Sequence, residues 1–318
     1  MNIKETFLKL TQRTIPYGFE ELVLNLLPHN LQKDKFDNFY IKIGESNTIF
    51  TSHLDTASMG ISDVKHVFDG DYIKTDGESI LGADDKAGVT IMLYMINNNI
   101  PGLYYFFVGE EVGCIGSGNL AKEWNDKTYT KMVSFDRRGT KSIITHQSGK
   151  RTASDEFADS LSREFKKHGL KLEKDNTGVY TDSAEFKHLI PECTNISVGY
   201  YDEHRTTEKQ DIVYLEKLCH ACIKINWDNL VVKRDPKVIE ETVYESYFES
   251  YYSSINGIGI STKKHKRSRN YLTYDDYGYE SCEVYKRKKN KRYYKSLEKK
   301  YLGEALTEEE FEELRKYL

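Results

Sequence analysis

The run Leu103-Tyr104-Tyr105-Phe106-Phe107-Val108 is followed at once by Gly109-Glu110-Glu111-Val112-Gly113. Six apolar, β-rich residues without a polar break read as a strand buried on both faces, the kind found in largely parallel sheets. The two acidic residues then fall at the C-terminal end of that strand. In open α/β sheets this is the edge where ligands bind. Adjacent carboxylates repel, and burial penalises each of them, unless a cation or a proton intervenes. Taken alone, the pair fits a solvated acidic turn equally well. Four other stretches supply the types of residue that would hold a cation.

Thr48-Ile49-Phe50-Thr51-Ser52 reads as a strand that runs directly into His53-Leu54-Asp55. In an extended segment, residues two apart point to the same side, so His53 and Asp55 face one point just past the strand end. Next comes Leu81-Gly82-Ala83-Asp84-Asp85-Lys86, ahead of an apolar stretch with helical spacing. Asp84 thus stands at a helix start, either as a plain N-cap or as a ligand that the helix holds rigid. Met132-Val133-Ser134-Phe135 is another buried strand and ends in Asp136-Arg137-Arg138. Thr194–Gly199 is a strand leading to Tyr200-Tyr201-Asp202-Glu203-His204. Carboxylates or histidines therefore end four expected strands, and a carboxylate heads a helix. These are the ligand types of hard and borderline divalent metals.

The connecting segments read as amphipathic helices at residues 3–11, 18–28, 115–124 and 155–168. A long helix starts at Asp211 and closes the domain near Val231. Val64–Phe68 and Tyr72–Thr75 flank the turn Gly70-Asp71 and form a hairpin. Cys219-His220-Ala221-Cys222 has a CxxC spacing, but it sits in an apolar helical pattern and reads as helix packing.

No apolar run approaches the ~20 residues of a membrane span, so no membrane partner is expected. The N-terminal residues Met1–Thr6 lack the basic-then-apolar layout of a signal peptide. The five cysteines show no framework spacing, which fits a reducing cytoplasm. Charge is unevenly placed. Residues 1–261 carry a net −9, residues 262–300 a net +9 and residues 301–318 a net −4. The acidic excess thus accompanies the candidate metal ligands.

These motifs resemble the di-zinc exopeptidases of the M20 and M28 metallopeptidase families. Thr51–Thr56 is similar to their first motif, and Leu81–Gly88 is similar to the tripeptidase branch of M20. Gly109–Gly113 matches the paired-glutamate motif, and Ser134–Asp136 and Gly199–His204 complete the set. The resemblance covers about residues 1–232. It implies a phosphorylase/hydrolase-like α/β fold in three layers, a mostly parallel mixed sheet with helices on both faces. It implies that His53 and Asp136 hold one metal, Glu111 and His204 the other, and that Asp84 bridges them. Glu110 would be the general base, and Asp55 would orient the His53 imidazole. The choice of Asp84 over Asp85 rests on the family's Asp-x-Lys spacing. M20 enzymes usually insert a lid domain between the last two motifs, but only 67 residues separate Asp136 from His204. A further domain of ~50 residues does not fit beside the elements already there, so the layout is M28-like.

The expected activity is that of a metal-dependent exopeptidase of the aminopeptidase type. It would use two divalent ions, zinc first and cobalt or manganese as alternatives, on short peptides. The rivals are an amidohydrolase that deacylates N-acyl amino acids and a non-catalytic binding protein acting through its tail. Arg138, on the loop leaving a metal-bearing strand, is the candidate for pairing with a substrate carboxylate. The catalytic domain is expected to span residues 1–233, with residues 234–318 a Tyr- and Lys-rich appendage. Basic runs interleaved with tyrosines at 262–300 suit a polyanion contact, although a solvated, partly disordered tail shows the same composition.

Overall fold

The computed structural model describes residues 1–238. In chain order the strands are β1 (Gln32–Lys33), β2 (Phe39–Ile43), β3 (Thr48–His53), β4 (His66–Asp69), β5 (Tyr72–Thr75), β6 (Gly102–Phe107) and β7 (Lys131–Arg137). Then follow β8 (Ser142–Ile144), β9 (His146–Gln147), β10 (Lys150–Arg151), β11 (Glu173–Asp175), β12 (Glu192–Ser197), β13 (Tyr200–Tyr201) and β14 (Lys209–Asp211). The α-helices are α1 (Ile3–Leu10), α2 (Ala83–Asn97), α3 (Ile115–Glu123), α4 (Asp155–Lys167) and α5 (Ile212–Cys222).

Eight strands form the main sheet in the order β1-β2-β6-β3-β7-β12-β8-β11. The central pairs β6/β3, β3/β7 and β7/β12 are parallel, while β1, β2 and β8 join their neighbours toward the centre antiparallel. The two-residue alternation along the strands divides the core. Tyr104 and Phe106 of β6, with Phe50, Val133 and Phe135, face a layer that includes α1, α2, α4 and α5. Leu103, Tyr105 and Phe107, with Ile49 and Met132, face the opposite layer, where α3 lies beside a 3-10 turn at Asp182–Phe186. This is the three-layer α/β arrangement expected, with both faces of β6 buried. Among the described residues, no helix is long and apolar enough to cross a membrane.

Two elements differ from expectation. Residues 18–28 form no α-helix but a 3-10 turn at Glu20–Leu26. Its buried residues Glu20 and Val23 are three apart, which suits three residues per turn, and no side chain caps its start. The helix after Asp211 stops at Cys222, well before Val231. There the Trp227 indole turns back and donates to the Cys222 carbonyl (2.9 Å), satisfying a helix-end acceptor. Residues at the end of the described chain pack onto the same unit. The buried Glu192 carboxylate accepts the N–H groups of Lys233 and Arg234 (2.7 and 2.9 Å). The Arg234 guanidinium donates to the carbonyls of Lys187, Ile190 and Pro191. The appendage past Val238, with the polyanion contact expected at 262–300, lies outside the described residues.

A second, antiparallel sheet in the order β13-β14-β5-β4 ties the expected hairpin to the chain on either side of His204. Cys219 and Cys222 are buried free thiols within α5, as helix packing requires.

Candidate metal centre

Because β3, β6 and β7 run parallel, their C-terminal ends open on one edge of the sheet. His53 is the last residue of β3 and stands opposite Phe107 in register. Three residues past Phe107 come Glu110 and Glu111, after a turn at Gly109 with φ 68°. A side chain at Gly109 would meet the Tyr17 ring at 2.7 Å, so this turn needs glycine. Asp136 lies near the end of β7. His204 arrives on the loop between β13 and β14, itself in the left-handed region at φ 64°.

Asp55 works from beneath this cluster. It is fully buried, and its two carboxylate oxygens accept the backbone N–H groups of Glu110 and Glu111, each at 3.1 Å. The same Oδ1 lies 3.3 Å from His53 Nδ1, and the Asp55 carbonyl lies 3.1 Å from it. Both neighbours are acceptors, so Nδ1 keeps the proton and Nε2 is turned toward the cluster.

Asp84 stands between the two histidines. Its Oδ1 is 3.1 Å from His53 Nε2, and its Oδ2 is 3.2 Å from His204 Nε2. Glu111 Oε2 reaches His204 Nε2 at 3.1 Å, and Asp136 Oδ1 reaches His53 Nε2 at 3.7 Å. The five expected ligands thus fall into two groups, His53 with Asp136 and His204 with Glu111, joined by Asp84. Asp85 also comes within ligand reach of His53 and Asp136. Its oxygens, however, already accept from the Ser52 hydroxyl and from the N–H groups of His53 (3.2 Å) and Gly88 (3.3 Å). Among the described residues, the hydrogen-bonding contacts on the Asp84 carboxylate are the two imidazoles. Asp84 is not an N-cap: its backbone is extended, and no side chain from the preceding segment caps α2.

The electrostatics are those of a site short of positive charge. Burial, and then repulsion from neighbouring carboxylates, pushes Glu110, Glu111 and Asp136 above the usual carboxylate range. Burial opposes a charge on His53, yet Asp136, Asp55 and Asp84 raise it well above an ordinary imidazole. Contacts with Asp84 and Glu111 raise His204 to about 11. Asp84 itself is held low by both histidines against the cost of its burial. The second oxygen of Glu111 is buried and has no partner among the described residues.

Several supporting residues carried no signal in the chain. The Tyr200 hydroxyl donates to Asp136 Oδ1 at 3.0 Å, and Asn195 pairs with the Asp136 backbone in both directions (2.8 Å each). Asp182 is buried against the Ser117 hydroxyl at 2.5 Å, and burial raises it to about 7. Glu208 is fully buried and accepts the N–H groups of Leu81, Gly82 and Asp84. Tyr200 lies inside the Gly199–His204 motif without being singled out there, and the other three lie in stretches whose patterns say only strand, turn or loop.

A cleft of about 200 Å³ opens over the ligands, bounded on another side by Arg137, Arg138, Val179 and Tyr180. Arg138 is 61% exposed and pairs with Glu203 at 3.2 Å. Arg137 is more enclosed; its Nη2 donates to the carbonyl and hydroxyl of Thr177.

The model of Peptidase family M28 matches residues 38–211. An uncharacterised protein of Bacillus subtilis (strain 168), YqjE, is 44% identical over 100 residues, 29% of this chain and 27% of that protein. The chain thus aligns with about a quarter of the length of the curated relative it matches. Among solved structures, aminopeptidase PepT from Bacillus cereus ATCC 10987 superimposes with a TM-score of 0.59 at 19% identity, over 70% of this chain and 96% of that one. A tripeptidase from Staphylococcus aureus subsp. aureus mu50 gives 0.56 at 18%, over 70% and 96%. The TET1 peptidase of Pyrococcus horikoshii gives 0.55 at 18%, over 70% and 98%. At these identities the superpositions bear on the fold.

Proposed function

We propose that this chain, which belongs to peptidase family M28, is a metal-dependent exopeptidase that cleaves short peptides from their amino end. The observation that carries the reading is Asp84, whose two oxygens divide between the imidazoles of His53 and His204 (3.1 and 3.2 Å). A buried carboxylate shared in this way, among three more carboxylates pushed upward by burial, suits a pair of cations. The donor set of two imidazoles and three carboxylates fits zinc, with cobalt and manganese as alternatives. His53 and Asp136 would hold one ion, Glu111 and His204 the other, and Asp84 both. Bound there, the two ions would supply an acidified water and a polarised peptide carbonyl.

The chain's own residues do the rest. Glu110 is the acidic residue of the cluster left free for proton transfer. Its carboxylate lies 4.0 Å from His53 Nε2 and 3.7 Å from the Cys114 thiol. With its pKa raised by burial, it is suited to take the water's proton and pass it to the leaving amine. Asp55 holds the His53 tautomer and fixes the backbone of both glutamates. Arg138 is assigned to the substrate's carboxylate, by exchange of its partly buried partner Glu203 for the ligand.

The test is metal analysis of the purified full chain, followed by a peptide panel with free and acetylated amino ends. Bound metal and hydrolysis of free-amine peptides are expected. A protein that binds no metal, and hydrolyses nothing after zinc, cobalt or manganese is added, would refute the reading. Hydrolysis of acylated substrates alone would make the enzyme a deacylase.

A further inference from the structure

At the start of α2 the Asp85 carboxylate accepts the Gly88 N–H, but the N–H groups of Leu81, Gly82 and Asp84 turn to a distant acceptor. Gly82 occupies the cap position at φ 70° and brings no side chain, while Asp84 turns its carboxylate to the imidazoles. Backbone N–H groups buried outside regular helical bonding need an acceptor. They find one 124 positions along the chain. Glu208 Oε2 accepts from Leu81 (2.9 Å) and Gly82 (2.8 Å), and its Oε1 accepts from Asp84 (3.0 Å).

We propose that Glu208 is a positioning residue of the metal site, fixing the backbone of Asp84 relative to the loop that carries His204. Glu208 lies four residues after His204, and its own N–H closes the intervening turn onto the Arg205 carbonyl at 3.0 Å. The same turn is pinned from β5, where the Thr75 hydroxyl donates to the Thr206 carbonyl at 3.0 Å. One buried carboxylate therefore ties together the two segments whose side chains meet at Asp84 Oδ2 and His204 Nε2. A neutral serine or asparagine caps an ordinary helix, and burying a charge beside Asp84 is costly unless several donors satisfy it. A two-oxygen acceptor spanning three N–H groups in a fixed fork sets a distance, which a single-oxygen cap does not.

The inference rests on the metal-site reading, and the experiment separates the two. Cobalt(II) is titrated into the metal-free full chain and followed by visible absorption, with thermal melting measured in parallel. Glu208→Gln keeps the size of the side chain but faces at least one N–H with an amide NH₂. The expected result is a cobalt affinity about 10–100-fold weaker, the usual scale for residues that orient ligands, falling mainly on one of two binding steps. Leu161→Ala, fully buried in α4 within the core, serves as a control that lowers the melting temperature while leaving affinity unchanged. Should Glu208→Gln fail to fold, Glu208→Asp, which withdraws the carboxylate by one methylene, carries the same expectation. Wild-type uptake with unchanged affinity and spectrum in the variant overturns the inference, whatever its melting temperature. A wild-type chain that takes up no cobalt overturns the metal-site reading and this inference with it.

Discussion

Asp55→Asn tests the site from below, because three donors share two oxygens there. Oδ1 accepts the Glu110 N–H and faces His53 Nδ1, while Oδ2 accepts the Glu111 N–H. An amide has one acceptor. The less damaging orientation leaves its oxygen at the Oδ1 position, which preserves both the His53 contact and the Glu110 bond. Its NH₂ group then opposes the Glu111 N–H. One buried donor is left unsatisfied, at a cost of about 1–3 kcal/mol. At roughly 2–4 °C per kcal/mol for a unit of this size, the metal-free protein should melt several degrees lower. The His53 tautomer survives, since the Asp55 carbonyl also accepts from Nδ1. The damage should therefore fall on Glu111, and through it on the His204 half of the site. Metal retention and peptide turnover should drop about 10–100-fold. The assays are calorimetry of the metal-free protein, metal content after dialysis, and initial rates. A variant with unchanged melting and turnover within twofold of wild type would show that Asp55 carries neither the loop nor the site.

Three further outcomes are expected. Glu110→Gln should keep both metals and lose about 10²–10⁴-fold in kcat, the usual contribution of a general base; near-wild-type turnover with metals confirmed would remove it from the role. Asp84→Ala should empty both halves of the site while Asp85→Ala mainly loses stability, as read by metal content and melting; the reverse pattern would mean that the other aspartate is the bridge. Arg138→Ala should raise KM for free-acid di- and tripeptides far more than for their C-terminal amides, whereas equal losses on both, or this pattern only in Arg137→Ala, would move the carboxylate contact elsewhere.

What was legible in the chain follows from how each feature is written in it. The sheet was legible because burial on both faces leaves an unbroken apolar run, and alternation within Leu103–Phe107 assigns side chains to the two layers. The convergence of His53, Glu110, Glu111 and Asp136 was legible because parallel strands deliver their C-terminal ends to one edge. A residue just past such an end needs no long-range information to be located. At the start of α2 the chain alone left two readings for Asp84, an N-cap or a ligand. Residue type and helical spacing allowed both, and the extended backbone with the carboxylate at the two imidazoles speaks against the N-cap. The segment at 18–28 buries Glu20, Val23 and Leu27 and packs Leu22, Leu24 and Leu26 against the core, so its apolar face was read correctly, but it winds as a 3-10 turn rather than an α-helix. Glu208 left no trace at all. Its meaning lies in three N–H groups that are more than 120 positions away, and nothing in Arg205-Thr206-Thr207-Glu208 sets it apart from a solvated loop. Ligands carried on strand ends can be located from the chain alone, but the groups that orient them emerge only when distant segments are brought together, and those groups decide how closely Asp84 and His204 meet.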